Sequence, residues 1–308
     1  MGGSMDIPAD LYPFEHHYLN LDGLKYHYLD EGQGETMVMV HGNPTWSFYY
    51  RELVKNFRDR YRIIVPDHIG CGFSDKPGDD RYPYTLQRRV EDLEALLDHL
   101  GLHENVTLVL HDWGGMIGMA LAHRRPERIK RLVLLNTAAF HLPQTKSFPW
   151  QLWLTRTPLG SALVRGMNAF SATATRVCVT RQPLEPRIRK AYTAPYDNWN
   201  NRIATLRFVQ DIPLRDKDPG YKLVSDVETN LGQFDALPVL ICWGLKDFVF
   251  DKHFLATWEK RLPSAQIHRF ADCGHYILED ARDEVIALME EFLAANPLDD
   301  QANKEAAA

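Results

Sequence analysis

Asp112 closes an apolar run in Val109-Leu110-His111-Asp112-Trp113-Gly114-Gly115. A strand that stops at a compact polar residue and turns through glycines into a helix has the geometry of a nucleophile elbow. Here the occupant is a carboxylate where serine is usual, and Leu110 stands where a small residue is usual. The change of nucleophile decides the chemistry. A serine that attacked an sp³ carbon would leave an ether that water cannot remove, whereas a carboxylate leaves an ester with a carbonyl open to attack. A carboxylate is also ionised near neutral pH without a base, which frees a histidine for a second step. The alternative role for Asp112 is N-cap of the helix that follows, since aspartate favours that position.

Partners for such a nucleophile lie further along the chain. His275, in Asp272-Cys273-Gly274-His275-Tyr276, sits on a glycine turn after the last apolar run, which is the position of a hydrolase histidine in the order nucleophile, acid, histidine. Asp247, in Trp243-Gly244-Leu245-Lys246-Asp247, is the acid that would orient it. Asp251 reads instead as the cap of a helix starting near His253, and Asn136, at the other possible acid position, cannot carry charge. In His41-Gly42-Asn43-Pro44-Thr45-Trp46 a backbone N–H, with that of Trp113, would form an oxyanion hole. The Asn43 amide and the Trp113 indole add two neutral donors suited to an anion leaving from carbon. The turn Asp67-His68-Ile69-Gly70-Cys71-Gly72-Phe73-Ser74 reads as scaffold, with Asp67 holding loop backbone, and His41 and His111 as structural neighbours of the site.

These residues need a frame that brings them together. Short runs at Met37 to Val40, Arg62 to Val65, Val106 to Leu110, Arg131 to Leu135, Val239 to Trp243 and Gln266 to Phe270 read as buried parallel strands. Helical patterns at Thr85 to Leu100 and Gly114 to His123 alternate with them, as in a doubly wound α/β sheet. Tyr18 to Leu29 predicts a hairpin turning at Asp22-Gly23. The pattern divides the chain into a core over 11–140 and 229–297, an inserted helical cap over 141–228, and flexible termini at 1–10 and 298–308. The cap segment holds 13 Lys and Arg against 7 Asp and Glu. That excess makes it a candidate face for an acidic partner or for oligomer contacts. Its Phe148, Trp150, Trp153, Phe170, Trp199 and Phe208 are candidates for a substrate wall.

The composition narrows the partners. The 308 residues include 35 basic and 41 acidic side chains, a formal charge of −6, which lacks the basic excess of nucleic-acid binders. No run approaches the length of a membrane span and the first residues do not form a signal peptide, so a cytoplasmic protein is expected. The four cysteines are scattered without metal spacing, so neither a disulfide nor a metal site is expected. The expected ligands are a small hydrophobic substrate, water and an anionic product, with no cofactor.

Taken together, the HGNPTWSF loop, the HDWGG elbow, the WGLKD strand and the CGHY turn resemble the haloalkane dehalogenases of the α/β-hydrolase superfamily, from about Leu11 to Pro297. The resemblance implies Asp112 as nucleophile, His275 as base, Asp247 as acid and Asn43 with Trp113 as the halide-binding pair. It is closest to the third dehalogenase subfamily. On that reading Asp112 displaces halide and water activated by His275 releases an alcohol. That subfamily is similar to the β-lactone decarboxylases of bacterial long-chain olefin biosynthesis, and three stretches here look like theirs: Tyr196 to Trp199, Gln210 to Leu214 and Phe250 to Phe254. The same site could open a strained lactone, so the alternative stays open. Epoxide hydrolases share the Asp-Trp elbow and would use Tyr192 or Tyr196 as donor, although Asn43 departs from their pattern. The remaining alternative is a binder without catalysis on the same scaffold.

Overall fold

The computed structural model describes residues 5 and 7–298. Eight strands form one sheet: β1 (His17–Leu21), β2 (Leu24–Glu31), β3 (Thr36–Val40), β4 (Arg62–Pro66), β5 (Val106–Asp112), β6 (Ile129–Thr137), β7 (Val239–Gly244) and β8 (Gln266–Phe270). Their order across the sheet is β1-β2-β4-β3-β5-β6-β7-β8. β2 pairs antiparallel with both β1 and β4, and every pairing from β4 to β8 is parallel. The central strands are mostly apolar because helices cover both faces, and β5 and β7 are buried at every residue.

Helices fill the connections: α1 (Arg51–Phe57), α2 (Leu86–His99) and α3 (Trp113–Arg124) before β6, then α4 (Trp150–Thr155), α5 (Pro158–Met167), α6 (Ala169–Val177), α7 (Pro186–Thr193), α8 (Ile203–Gln210) and α9 (Tyr221–Asn230) before β7. α10 (Lys252–Arg261), α11 (Ile277–Asp280) and α12 (Arg282–Ala295) complete the chain. Local signals set several starts. Thr85 caps α2 through Oγ1 on the Arg88 N–H, Thr157 caps α5 with Pro158 at its first turn, and Asp251 caps α10. Of the segment expected to form the cap, α4, α5, α6 and α8 pack on one another, while α9 packs against α3 of the core. Of the stretches expected to be flexible, residues 1–4, 6 and 299–308 lie outside the described residues, and Asp10 pairs with Arg187. Among the described residues no helix is long and apolar enough to cross a membrane.

The sheet order decides where chemistry can happen. β3, β5, β6, β7 and β8 are neighbours and parallel, so the loops after them converge on one edge of the sheet, outside the carboxyl ends of the strands. Those strand ends and loops carry Asn43, Asp112, Asn136, Asp247 and His275. The turn from β5 into α3 is tight. Asp112 takes φ +53°, an unfavourable conformation for a residue with a side chain, and a Cβ at Gly114 would overlap the Val40 carbonyl oxygen. Gly114→Ala should therefore force β3 and α3 apart and cost about 2–3 kcal/mol. Gly232→Ala, where added bulk meets nothing within 4 Å, should leave the melting temperature unchanged. Thermal unfolding of the two variants checks this.

Candidate active site

Asp112 is 7% exposed, and its side chain does not cap α3. Oδ1 accepts the Asn43 backbone N–H at 2.6 Å, and Oδ2 lies 3.5 Å from His275 Nε2. The second distance describes an ion pair held at the edge of hydrogen bonding, which leaves Oδ2 available as a nucleophile. Gly42 is what permits this approach, since a Cβ there would fall on the Asp112 carboxylate. The Thr137 hydroxyl donates to the Asp112 carbonyl at 2.5 Å and ties the strained turn to the end of β6.

His275 Nδ1 lies 2.7 Å from Asp247 Oδ2. Asp247 is in turn fixed from three sides: Oδ1 accepts the backbone N–H groups of Val249 at 2.7 Å and Phe250 at 3.0 Å, and Oδ2 accepts Asn136 Nδ2 at 3.0 Å. Asn136 also donates to the Gly244 carbonyl and accepts its N–H, so one amide clamps β6 to β7 and aims the acid. Asn136 was legible as a position without charge, but its role as a clamp needs the β6–β7 pairing. The imidazole stacks on Phe250, and its own backbone carbonyl accepts His111 Nε2 at 2.8 Å. Burial opposes a charge on His275, but Asp247 and Asp112 outweigh it and raise its pKa to about 10. At the neighbouring His111, burial and the charge of His275 outweigh the pull of Asp112 and bring it down to about 3. The two aspartates thus favour the imidazolium form of His275.

The scaffold residues sit where expected. Asp67 accepts the N–H groups of Ser47 and Phe73 and pairs with His27, and His41 accepts the His68 N–H beside the Asn43 loop. The expected anion donors differ from each other. The Trp113 indole N–H has no hydrogen-bond partner among the described residues, whereas the Asn43 amide gives one N–H to the Thr205 carbonyl at 3.0 Å, leaving a single N–H for a ligand. Tyr192 and Tyr196 are not placed as epoxide donors. Both are buried away from the cavity, with hydroxyls committed to Glu279 and to the Thr45 carbonyl.

Two apolar lobes diverge from Asp112 and Trp113. The larger, about 410 Å³, runs under the cap between α4, α5 and α6 and includes Trp150, Leu163, Phe170 and Cys178. The smaller, about 100 Å³, runs toward α9 past Met116, Phe148, Leu214 and Val224. Ile212, Val249 and Phe250 form part of both walls. Of the six aromatic wall candidates, Phe148, Trp150 and Phe170 line a lobe and three do not. Trp153 is 60% exposed, Trp199 lies under the Arg165 guanidinium on the cap surface, and Phe208 is buried edge-on against Trp113. The aliphatic wall residues were not legible, because Met, Ile, Leu and Val carry the same pattern in a core as around a cavity.

Comparison with known proteins places this geometry. The family model described as alpha/beta hydrolase fold matches residues 35–281. A cis-3-alkyl-4-alkyloxetan-2-one decarboxylase from Shewanella oneidensis is 63% identical over 92% of this chain and 89% of its own. Haloalkane dehalogenase 2 from Mycobacterium bovis is 30% identical over 94% of this chain and 99% of its own. The crystal structure of the haloalkane dehalogenase DatA from Agrobacterium tumefaciens superposes with a TM-score of 0.82 at 24% identity, covering 94% of this chain and 99% of that one, which shows a shared fold. With its mostly parallel sheet, the sharp strand-to-helix turn at Asp112 and these relatives, the chain belongs to the α/β-hydrolase superfamily, in the branch that holds haloalkane dehalogenases and cis-3-alkyl-4-alkyloxetan-2-one decarboxylases.

Proposed function

We propose that this protein is a β-lactone decarboxylase that converts a cis-3,4-dialkyl oxetan-2-one into a cis-alkene and carbon dioxide. The observation that carries the reading is the pair of apolar lobes that meet at Asp112 and Trp113. A four-membered lactone with alkyl groups on adjacent carbons is a polar head with two apolar arms, and the site offers one polar junction with two apolar channels. A simple haloalkane has one arm. The 63% identity to a decarboxylase, against 30% to a dehalogenase, supports the same choice. Haloalkane hydrolysis, expected from the motifs, shares the nucleophile and is the reading this one displaces.

The residues suggest a route in two displacements. Asp112 Oδ2 attacks the lactone carbon that bears the ring oxygen, the C–O bond breaks, and its electron pair leaves a free carboxylate on the neighbouring carbon. Ring strain drives this step, and the Trp113 indole and the free Asn43 N–H receive the new carboxylate. The bond from that carboxylate to the chain then breaks. Its electron pair forms the alkene while the ester oxygen departs with its own pair and restores the Asp112 carboxylate. Inversion followed by anti elimination carries a cis ring to a cis alkene. No water and no net proton are consumed. The His275 imidazolium, held by Asp247, stabilises Asp112 as the leaving carboxylate, which is a cation's task rather than a base's.

The decisive assay offers the protein a long-chain cis-β-lactone and a bromoalkane. Carbon dioxide and cis-alkene should form with a kcat/KM at least about 100-fold above that for bromide release, and Asp112→Asn should lower lactone turnover by at least about 10³-fold. Faster bromide release would reverse the assignment. In heavy-oxygen water, lactone turnover should leave Asp112 unlabelled, as read by peptide mass spectrometry, because no water attacks the ester; label accumulating at Asp112 would mean hydrolysis. The pH profile follows from the raised His275 pKa. If the cation is the active form, kcat/KM stays level from about pH 7 to about pH 9 and falls as the pH passes about 10. A profile that rises across that range would make His275 a base.

A further inference from the structure

The triad presents a charge problem that its own residues do not solve. In the proposed first step Asp112 becomes a neutral ester, and its negative charge passes to the new carboxylate at Asn43 and Trp113. Asn43 and Trp113 meet it with neutral N–H groups, one of which the Thr205 carbonyl already takes. A cation behind these donors would stabilise the charge that arrives there.

Arg89 is that cation. It projects from α2, its side chain is fully buried, and its guanidinium lies 3.7 Å from the Phe208 ring centroid and 5.7 Å from that of Trp113. Phe208 in turn meets Trp113 edge to face at 5.3 Å. Nη1 bonds Asp211 Oδ2 at 3.2 Å, but Nε and Nη2 have no partner among the described residues. Asp211 is itself divided, since the same Oδ2 accepts the Leu86 N–H at the start of α2 at 2.5 Å. A buried guanidinium with two unmatched donors and a shared counter-ion is a poor stabilising device, and packing alone would favour an apolar residue there. In a water-excluded interior its field reaches well beyond hydrogen-bond distance.

We propose that Arg89 is a positioning cation for the anion site, holding positive potential on the Trp113 indole N–H, and that Asp211 sets how much of this charge the departing anion feels. The assignment rests on the anion-receiving role given to Trp113 in the proposed function. Its signature is a pair of substitutions with opposite signs. Arg89→Gln removes the cation and Asp211→Asn removes its counter-ion while keeping an acceptor for Leu86 and Arg89.

The test uses bromide as the probe ion at constant ionic strength, its dissociation constant read from quenching of Trp113 fluorescence with Trp113→Phe as background. Arg89→Gln should weaken bromide about tenfold, Arg89→Lys should stay near wild type, and Asp211→Asn should tighten bromide about threefold. Weakening by Asp211→Asn, or no change in either variant, overturns the proposal, since a merely structural pair would lose affinity from both sides. Where Arg89→Gln fails to fold, Asp211→Asn decides alone: tighter binding supports the assignment, and equal or weaker binding removes it. No lactone enters this measurement. Failure of the decarboxylase assay with the bromide series intact would sink the functional reading and leave Arg89 in place.

Discussion

The pairing of one buried histidine with two aspartates is the interaction on which the rest of the site depends. Taking one histidine and two aspartates out of water is costly unless each remaining lone pair and proton is matched. The structure matches them with fixed groups: backbone N–H groups from Asn43, Val249 and Phe250, and the Asn136 amide. These donors come from β6 and from the loops after β3 and β7, so they converge on Asp112 and Asp247 only if β3, β5, β6 and β7 are neighbours. The topology of the sheet and the pairing of His275 are in this sense one constraint.

That constraint also explains where backbone strain is kept. Asp112 holds a positive φ at the end of β5 because the turn must release its side chain from α3 and aim it at two partners. Gly42 and Gly114 are small because the carboxylate and the Val40 carbonyl occupy the space a side chain would need. Thr137 secures the strained carbonyl from the next strand. The cap is under weaker demands. It has to present apolar walls, and it does so largely with aliphatic residues of short helices while leaving Trp153, Leu159 and Met167 well exposed.

How far the sequence discloses this follows from what each signal is made of. The sheet strands were legible as β-branched runs, and the elbow, acid and histidine positions as polar residues placed directly after them, so Asp112, Asp247 and His275 stand where chain order put them. Asp251 likewise proved to cap a helix. What escaped depends on contacts between distant segments. Asn136 reads as an uncharged residue until β6 lies beside β7. Arg89 and Asp211 read as ordinary helix and loop charges until α2 meets the end of α8. Aromatic content pointed to the substrate wall only half correctly, because Trp153, Trp199 and Phe208 serve the cap surface and the support of Trp113. The two lobes have no sequence signal at all, since they are space left between apolar side chains.

The account turns on His275 being a cation in the resting protein, and nitrogen NMR of the histidine rings reads that directly. It predicts both His275 nitrogens protonated at neutral pH, with titration near about 10 that moves down in Asp112→Asn. A neutral His275 ring at neutral pH in the resting protein would contradict it.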